Sequence, residues 1–200
     1  MKLLGRAHGM MVHGRRILRL SQQLSDLLPE NADVLDVGCG DGKLAALIQS
    51  CRPDVKIQGI DVLVRDKTEI PVTKYDGTTI PFPDKSFDVM MFVDVLHHTD
   101  DPHALLEEAS RVAKSFIVIK DHTNEGFLSA KTLRFMDWVG NKPHGVVLPY
   151  NYWREHQWKE AFNDLQFEVL AWKKDLCLYP YLADLFFGRD LHLITKLKIK

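Results

Sequence analysis

The chain has 200 residues, 46% of them hydrophobic and 26% charged, with a formal net charge of -1. That length suits one domain with a sizeable core, and the near-neutral charge lacks the basic footprint of a nucleic-acid binder, so no nucleic acid is expected as a partner. Cys39, Cys51 and Cys177 are too scattered for a disulfide framework or a thiolate metal site, and no run approaches the roughly 18 apolar residues of a membrane span. A reducing, cytoplasmic location is the expectation.

In chain order, Ile17, Leu20, Leu24, Leu27 and Leu28 recur at helical spacing between Arg15 and Leu28, ahead of Pro29, and predict a helix lying on a larger body. "DVLDV" then predicts a strand that passes through glycines into a helix burying Leu44, Leu47, Ile48 and Cys51. Further strands are predicted at 55–61, ending in Asp61, and at 70–76, ending in Asp76. "SFDVMMFVDVL" is nearly continuous in apolar residues, as a strand covered on both faces should be.

Asp101 is placed to cap the next helix, with Pro102 at its first position and Leu105, Leu106, Ala109 and Val112 as its buried stripe. "SFIVIKD" predicts a fifth strand. Beyond it, 126–140 and 153–165 look helical, "QFEVLAW" predicts a strand, and "LHLITKLKIK" predicts a last strand with one wet face. The alternation predicts an α/β fold, a mostly parallel sheet with helices on both sides.

The loop "GCGDG" puts glycine at 38, 40 and 42, where a strand meets a helix. Glycine there gives freedom in φ and lets a ligand approach the backbone outside the carboxyl ends of the strands. It is not the dinucleotide fingerprint, because Lys43 occupies the position of the last glycine. Nor is it a P-loop, because Leu44 stands where Ser or Thr belongs. Asp61, 21 residues after Gly40, suits the two hydroxyls of a ribose. With Asp36 and Asp76 it predicts a crevice of three carboxylates fit for a cationic nucleoside and without a partner for a pyrophosphate.

"VLDVGCGDG", "GIDV", "YDGTTIPFPDKSFDVMMFVDVLHHTDDPHALLEEASRV" and "FIVIKDH" together resemble the class I S-adenosylmethionine-dependent methyltransferases, in their small-molecule branch alongside the ubiquinone and menaquinone methyltransferases. The resemblance spans about residues 32–122 and implies a Rossmann-like seven-stranded sheet with an antiparallel last strand. It implies S-adenosylmethionine as cofactor, with Gly38, Gly40 and Gly42 along its methionine part and Asp36 near its amino group. Asp61 would hold the ribose, Val62 would pack the adenine, and Asp76 with Gly77 would meet the adenine amino group. Asp94, Val95 and Leu96 would lie under the sulfonium. One domain spanning 1–200 is expected, with residues 1–30 as a helical lid and 125–152 as a variable region around the substrate.

The expected chemistry is in-line displacement of the methyl group by an O, N or C nucleophile of a small, partly apolar molecule, helped mainly by proximity. His97, His98 and His122 are the candidate bases should the nucleophile arrive protonated. His144 and His156 are candidate substrate contacts that ordinary surface histidines would equally explain. No metal is expected. Phe127, Leu128, Phe135, Met136 and Val147 suggest an apolar acceptor. The rivals are a methyltransferase-fold binding protein without turnover and a nicotinamide-dependent oxidoreductase, the latter opposed by Lys43.

Overall fold

The computed structural model describes residues 2–141, 149–188 and 190–200, with side chains described outside 2–13, 140–141 and 181–182. His144 and Val147 lie outside the described residues. The strands are β1 (Asp33–Val37), β2 (Lys56–Asp61), β3 (Val72–Lys74), β4 (Phe87–Val93), β5 (Ala113–His122), β6 (Glu168–Lys173) and β7 (His192–Lys198). The helices are α1 (Lys2–Ser25), α2 (Lys43–Cys51), α3 (Pro102–Val112), α4 (Ser129–Asn141), α5 (Glu155–Asp164) and α6 (Tyr181–Phe187).

The strands form one seven-stranded sheet in the order β3-β2-β1-β4-β5-β7-β6. β7 runs antiparallel to both its neighbours, and the other pairings are parallel. The order reverses between β1 and β4, and that reversal opens a crevice at the carboxyl ends of the strands.

The apolar run of β4 is explained by its two neighbours in depth. Met90 and Phe92 join a core with Leu105, Leu106, Ala109 and Val112 of α3 and Trp158 and Phe162 of α5. Val89 and Met91 face the opposite core, with Leu20 and Leu24 of α1 and Ala45 and Ile48 of α2. Burial of each such side chain contributes about 1.5–3 kcal/mol, so both faces of the sheet hold their helices firmly. At the start of α3 the Asp101 carboxylate accepts the Ala104 N–H at 3.0 Å, as the sequence predicts. A cap of this kind contributes about 1 kcal/mol.

Four local expectations change. α1 begins well before Arg15 and ends at Ser25, and Leu27 and Leu28 are buried in the turn beyond it. The fully buried positions of α2 are Ala45 and Ile48, while Cys51 is exposed, because the helix enters from a left-handed Gly42 that sets its face. Between β6 and β7, where no element is predicted from sequence, the chain forms α6. Finally, β7 is covered on both faces for most of its length: Leu193 and Leu197 pack in one core and Ile194 in the other, so only its end is wet. Its position between β5 and β6 is the reason, since an interior strand takes its cover from helices that alternation alone does not reveal.

Candidate functional site

The tip of β1 turns sharply. Gly38 N–H donates to Ile60 O at 2.8 Å and Gly42 N–H to Cys39 O at 3.0 Å, and the three glycines all have positive φ. At Gly38 a Cβ would strike Val95, and at Gly42 it would strike Ile70; at Gly40 it would meet nothing within 4 Å. The first and last glycines therefore serve the turn, and the middle one leaves open space above it.

That space is a cavity of about 580 Å³ lined by Gly38, Cys39, Gly40, Asp36, Asp94 and Leu44, with Arg16, Ile17 and Leu20 of α1 on its far side. A cavity of similar size beside the other ends of β1 and β2, lined in part by Asp33, Gln58 and Phe87, lies away from these glycines.

Asp61 ends β2 with its carboxylate fixed by backbone. Oδ2 accepts the Gly40 N–H and Oδ1 the Leu63 N–H, each at 2.8 Å. Each oxygen retains acceptor capacity for a hydroxyl. Asp36 is buried behind it, and burial together with the charge of Asp61 pushes its carboxyl up to about 8. Asp76 is exposed, its Oδ1 closing a turn by accepting from the N–H groups of Thr78 and Thr79. Val62 is exposed and adjoins Gly77, whose Cβ would come 3.2 Å from it.

The crevice is not purely acidic. Arg16, Lys43, Arg65 and Lys67 also line the cavity, Lys43 pairing with Asp41 at 2.5 Å and Arg16 with Asp94. Helix α1 brings in Arg16 and the segment after β2 brings in Arg65 and Lys67, and the positions of these three are not visible from the motif. Cys39 packs between β1 and Gly59, and burial followed by the charges of Asp36 and Asp61 pushes its thiol far up, as befits a filler.

Asp94 stands at φ 57, an uncommon conformation for a non-glycine residue and one that clusters at functional sites. It also joins the cavity to a second assembly. Its carboxylate pairs with Arg16 and with the Nζ of Lys120, a fully buried lysine of β5. Burial opposes the Asp94 charge, but Lys120 and Arg16 prevail and hold the carboxyl well below its ordinary range.

Behind Asp94 lie His97, His98, His122, Asp121, Asp137 and Tyr152. His97 Nδ1 is 2.5 Å from Asp121 Oδ1, and the Asp121 carboxylate also accepts the N–H groups of Leu96 and His122. His97 Nε2 is 3.2 Å from Asp137 Oδ2, and the Tyr152 hydroxyl donates to that same oxygen. Burial disfavours the His97 cation, yet Asp121 and then Asp137 lift it to about 10. Burial and then the neighbouring His97 take His98 down to about 4.

His122 Nδ1 is 3.8 Å from Asp94 Oδ1, and burial followed by Lys120 lowers its affinity for a proton. None of the three candidate bases lines the cavity; all sit one layer behind Asp94. His156 is an exposed residue of α5, as a surface histidine would be. The Trp158 indole donates to His122 O at 3.1 Å, and Trp138 is half-exposed. Phe127, Leu128 and Phe135 are exposed and, with Met136, do not line the cavity.

Sequence reasoning missed Arg16, Lys120, Asp137, Tyr152 and His192. For Lys120 a signal existed: a lysine inside the apolar run "FIVIKD" must find a buried carboxylate. His192 Nδ1 lies 3.3 Å from Lys120 Nζ, completing the other side of that pair.

The sheet order, its antiparallel β7 and the glycine turn at the switch point define the fold of the class I S-adenosylmethionine-dependent methyltransferases. Residues 10–171 match the methyltransferase domain family, and the chain belongs to it. It is similar to a 27-O-demethylrifamycin SV methyltransferase of Amycolatopsis mediterranei, 32% identical over 48% of this chain and 40% of the relative. It is also similar to the O-methyltransferase rstn1 of Aspergillus nomiae, 31% identical over 48% of this chain and 49% of the relative. Among solved structures, a Thermotoga maritima S-adenosylmethionine-dependent methyltransferase superimposes with a TM-score of 0.67 at 20% identity, over 99% of this chain and 96% of the other. The chain spans about half the length of the curated relatives it matches.

Proposed function

We propose that the chain transfers the methyl group of S-adenosylmethionine to an O, N or C nucleophile of a small, partly apolar molecule. The single observation that carries this reading is the cavity over Gly40, with the backbone-fixed Asp61 beside it and Asp36 buried beneath it. When bound, the cofactor supplies a methyl group already activated by a sulfonium charge.

The chain's own part is to hold and orient. Gly38, Gly40 and Gly42 give close approach along the methionine portion, Asp61 accepts the ribose hydroxyls, and Val62, Asp76 and Gly77 flank the adenine. A positive group over Asp36 would offset both the burial and the like charge that hold that carboxyl protonated. Arg65 and Lys67 are on hand for the cofactor carboxylate, a need the acidic crevice of the motif left unmet. Asp94, held by Lys120 and Arg16, presents a fixed negative charge to the sulfonium end. Ile17 and Leu20 of α1 close the cavity against water. The nucleophile then needs only near-attack placement, roughly 3–3.5 Å from the methyl carbon.

A small acceptor is supported by the name of one curated relative, a 27-O-demethylrifamycin SV methyltransferase, and an oxygen nucleophile by the name of the other, an O-methyltransferase. Exposed Phe127, just before α4, and Phe135, on the same helix as Asp137, lie outside the cavity lining and would offer apolar contact to an acceptor that extends beyond it. Calorimetric titration with S-adenosylmethionine and S-adenosylhomocysteine, followed by labelled-methyl transfer to a panel of hydroxylated and amino-bearing small molecules, tests the reading. Binding followed by labelled product supports it. Binding without any transfer favours the binding-protein rival, and heat from a nicotinamide cofactor alone favours the oxidoreductase.

A further inference from the structure

Two buried ring nitrogens at consecutive positions, His97 Nε2 and His98 Nδ1, have no hydrogen-bond partner. An unsatisfied buried nitrogen costs about 1–3 kcal/mol, so such a pair calls for an explanation. His97 is 2% exposed, and its Nε2 faces Asp137 Oδ2 at 3.2 Å, off the line of a good hydrogen bond. His97, His98 and Asp137 each bring one ligand atom into a group no more than 4.8 Å across.

We infer that His97, His98 and Asp137 form a site for a divalent first-row transition-metal ion. Two imidazoles and one carboxylate are the donor set that zinc, iron and manganese accept, with further positions left open. Ligand atoms about 2.0–2.2 Å from a tetrahedral ion lie about 3.3 Å from each other, the separation already present between His97 Nε2 and Asp137 Oδ2.

The surroundings match those of a metal-binding histidine. Such a histidine gives its second ring N–H to a carboxylate, which fixes its tautomer and its orientation. His97 Nδ1 meets Asp121 Oδ1 at 2.5 Å, and Asp121 is itself locked by the N–H groups of Leu96 and His122. The Tyr152 hydroxyl supports Asp137 in the same way, and the Tyr152 ring stacks on His97 at 5.4 Å. Asn151 N–H donates to His97 O at 3.0 Å and so ties this segment to the turn that carries both histidines.

A second set, His97, Asp121 and His122, is as compact. It is the poorer choice, because an ion there would have to break the bond between His97 and Asp121. In the favoured set His97 uses Nε2, whose close neighbour Asp137 is itself a ligand of the set, and keeps its bond to Asp121.

The turn bearing the two histidines begins directly after Asp94, which lines the cofactor cavity. The site itself lies behind Asp94 and outside the cavity lining, so it does not rest on the methyl-transfer reading.

The test uses the full chain, stripped with a chelator and titrated with Co²⁺, then displaced with Zn²⁺. One Co²⁺ per chain, with ligand-field absorption of nitrogen and oxygen coordination, is expected. His98→Ala and Asp137→Asn each weaken binding at least about tenfold, whereas His156→Ala, on the exposed face of α5, leaves it unchanged. In the unmodified protein, paramagnetic broadening by Co²⁺ centres on the His97 and His98 rings.

S-adenosylhomocysteine affinity, measured on every variant, reports folding and separates failure of the metal site from failure of the cofactor site. The inference is overturned if Co²⁺ does not bind stoichiometrically, if it binds the two variants as tightly as the parent, or if the broadening centres on other histidines.

Discussion

The crevice over β1 and the cluster behind β4 both carry buried acids, but their acids are treated differently. Asp36 is buried with another acid, Asp61, as its neighbour, and its charge is suppressed. Asp121 is buried and Asp94 partly so, beside Lys120, Arg16 and His97, and their charges are enforced. The first region is poised to receive a cation from outside; the second already holds its own. A ligand-binding surface and a framework that rigidifies it can therefore be distinguished by asking whether each buried charge arrives with its partner.

The comparison breaks most visibly at Lys120. Lys120→Met would leave Asp94 with Arg16 and the more distant His122 and should cost about 3 kcal/mol, near the lower end for a broken buried pair. For a chain of this size that lowers Tm by about 6–12 °C in thermal denaturation. Little or no change would mean that the pair is not enforced at all.

In the crevice, Asp61→Ala removes two charge-assisted acceptors and should weaken S-adenosylhomocysteine binding about 100-fold by calorimetry, far more than His97→Gln. Equal losses would erase the distinction between the two regions.

The pH response sharpens the contrast further. Because the Asp36 carboxyl is raised to about 8, the folded chain keeps a proton that the unfolded chain releases above about pH 4. Stability without cofactor therefore falls as pH climbs from about 4 to 8 and levels off above that. Cofactor affinity moves oppositely, rising up to about tenfold per pH unit until near 8 as the carboxylate becomes available. Asp36→Asn should flatten both slopes, as urea titrations and calorimetry across that range would show.

The smallest effect is expected at Gly40. Gly40→Ala meets no neighbour but must hold φ 60, for a stability cost of about 1 kcal/mol, with a loss of cofactor affinity as the methyl group enters the cavity.

How much could be read in advance follows the same division. The crevice comes from consecutive residues, "DVGCGDG", and from Asp61 at the end of β2, so spacing alone placed Asp36, Asp61 and the glycines near one another. The cluster is assembled from β5, α4, the turn after β4 and the segment before α5. Asp137 and Tyr152 enter it through tertiary packing, with no periodic signature. Arg16 was hidden for a related reason: on an amphipathic helix a cation reads as a solvated face until the helix is seen to cover a cavity. The covered face of β7 was missed because its cover is likewise tertiary. The parallel core was legible because a strand with helices above and below cannot afford alternation.

The most direct measurement is a crystal structure of the chain with S-adenosylhomocysteine. The account predicts the ribose hydroxyls within hydrogen-bonding distance of both Asp61 oxygens, the amino group over Asp36 and the sulfur facing Asp94. A nucleoside seated away from Gly40, or a ribose held by some other residue, would contradict it.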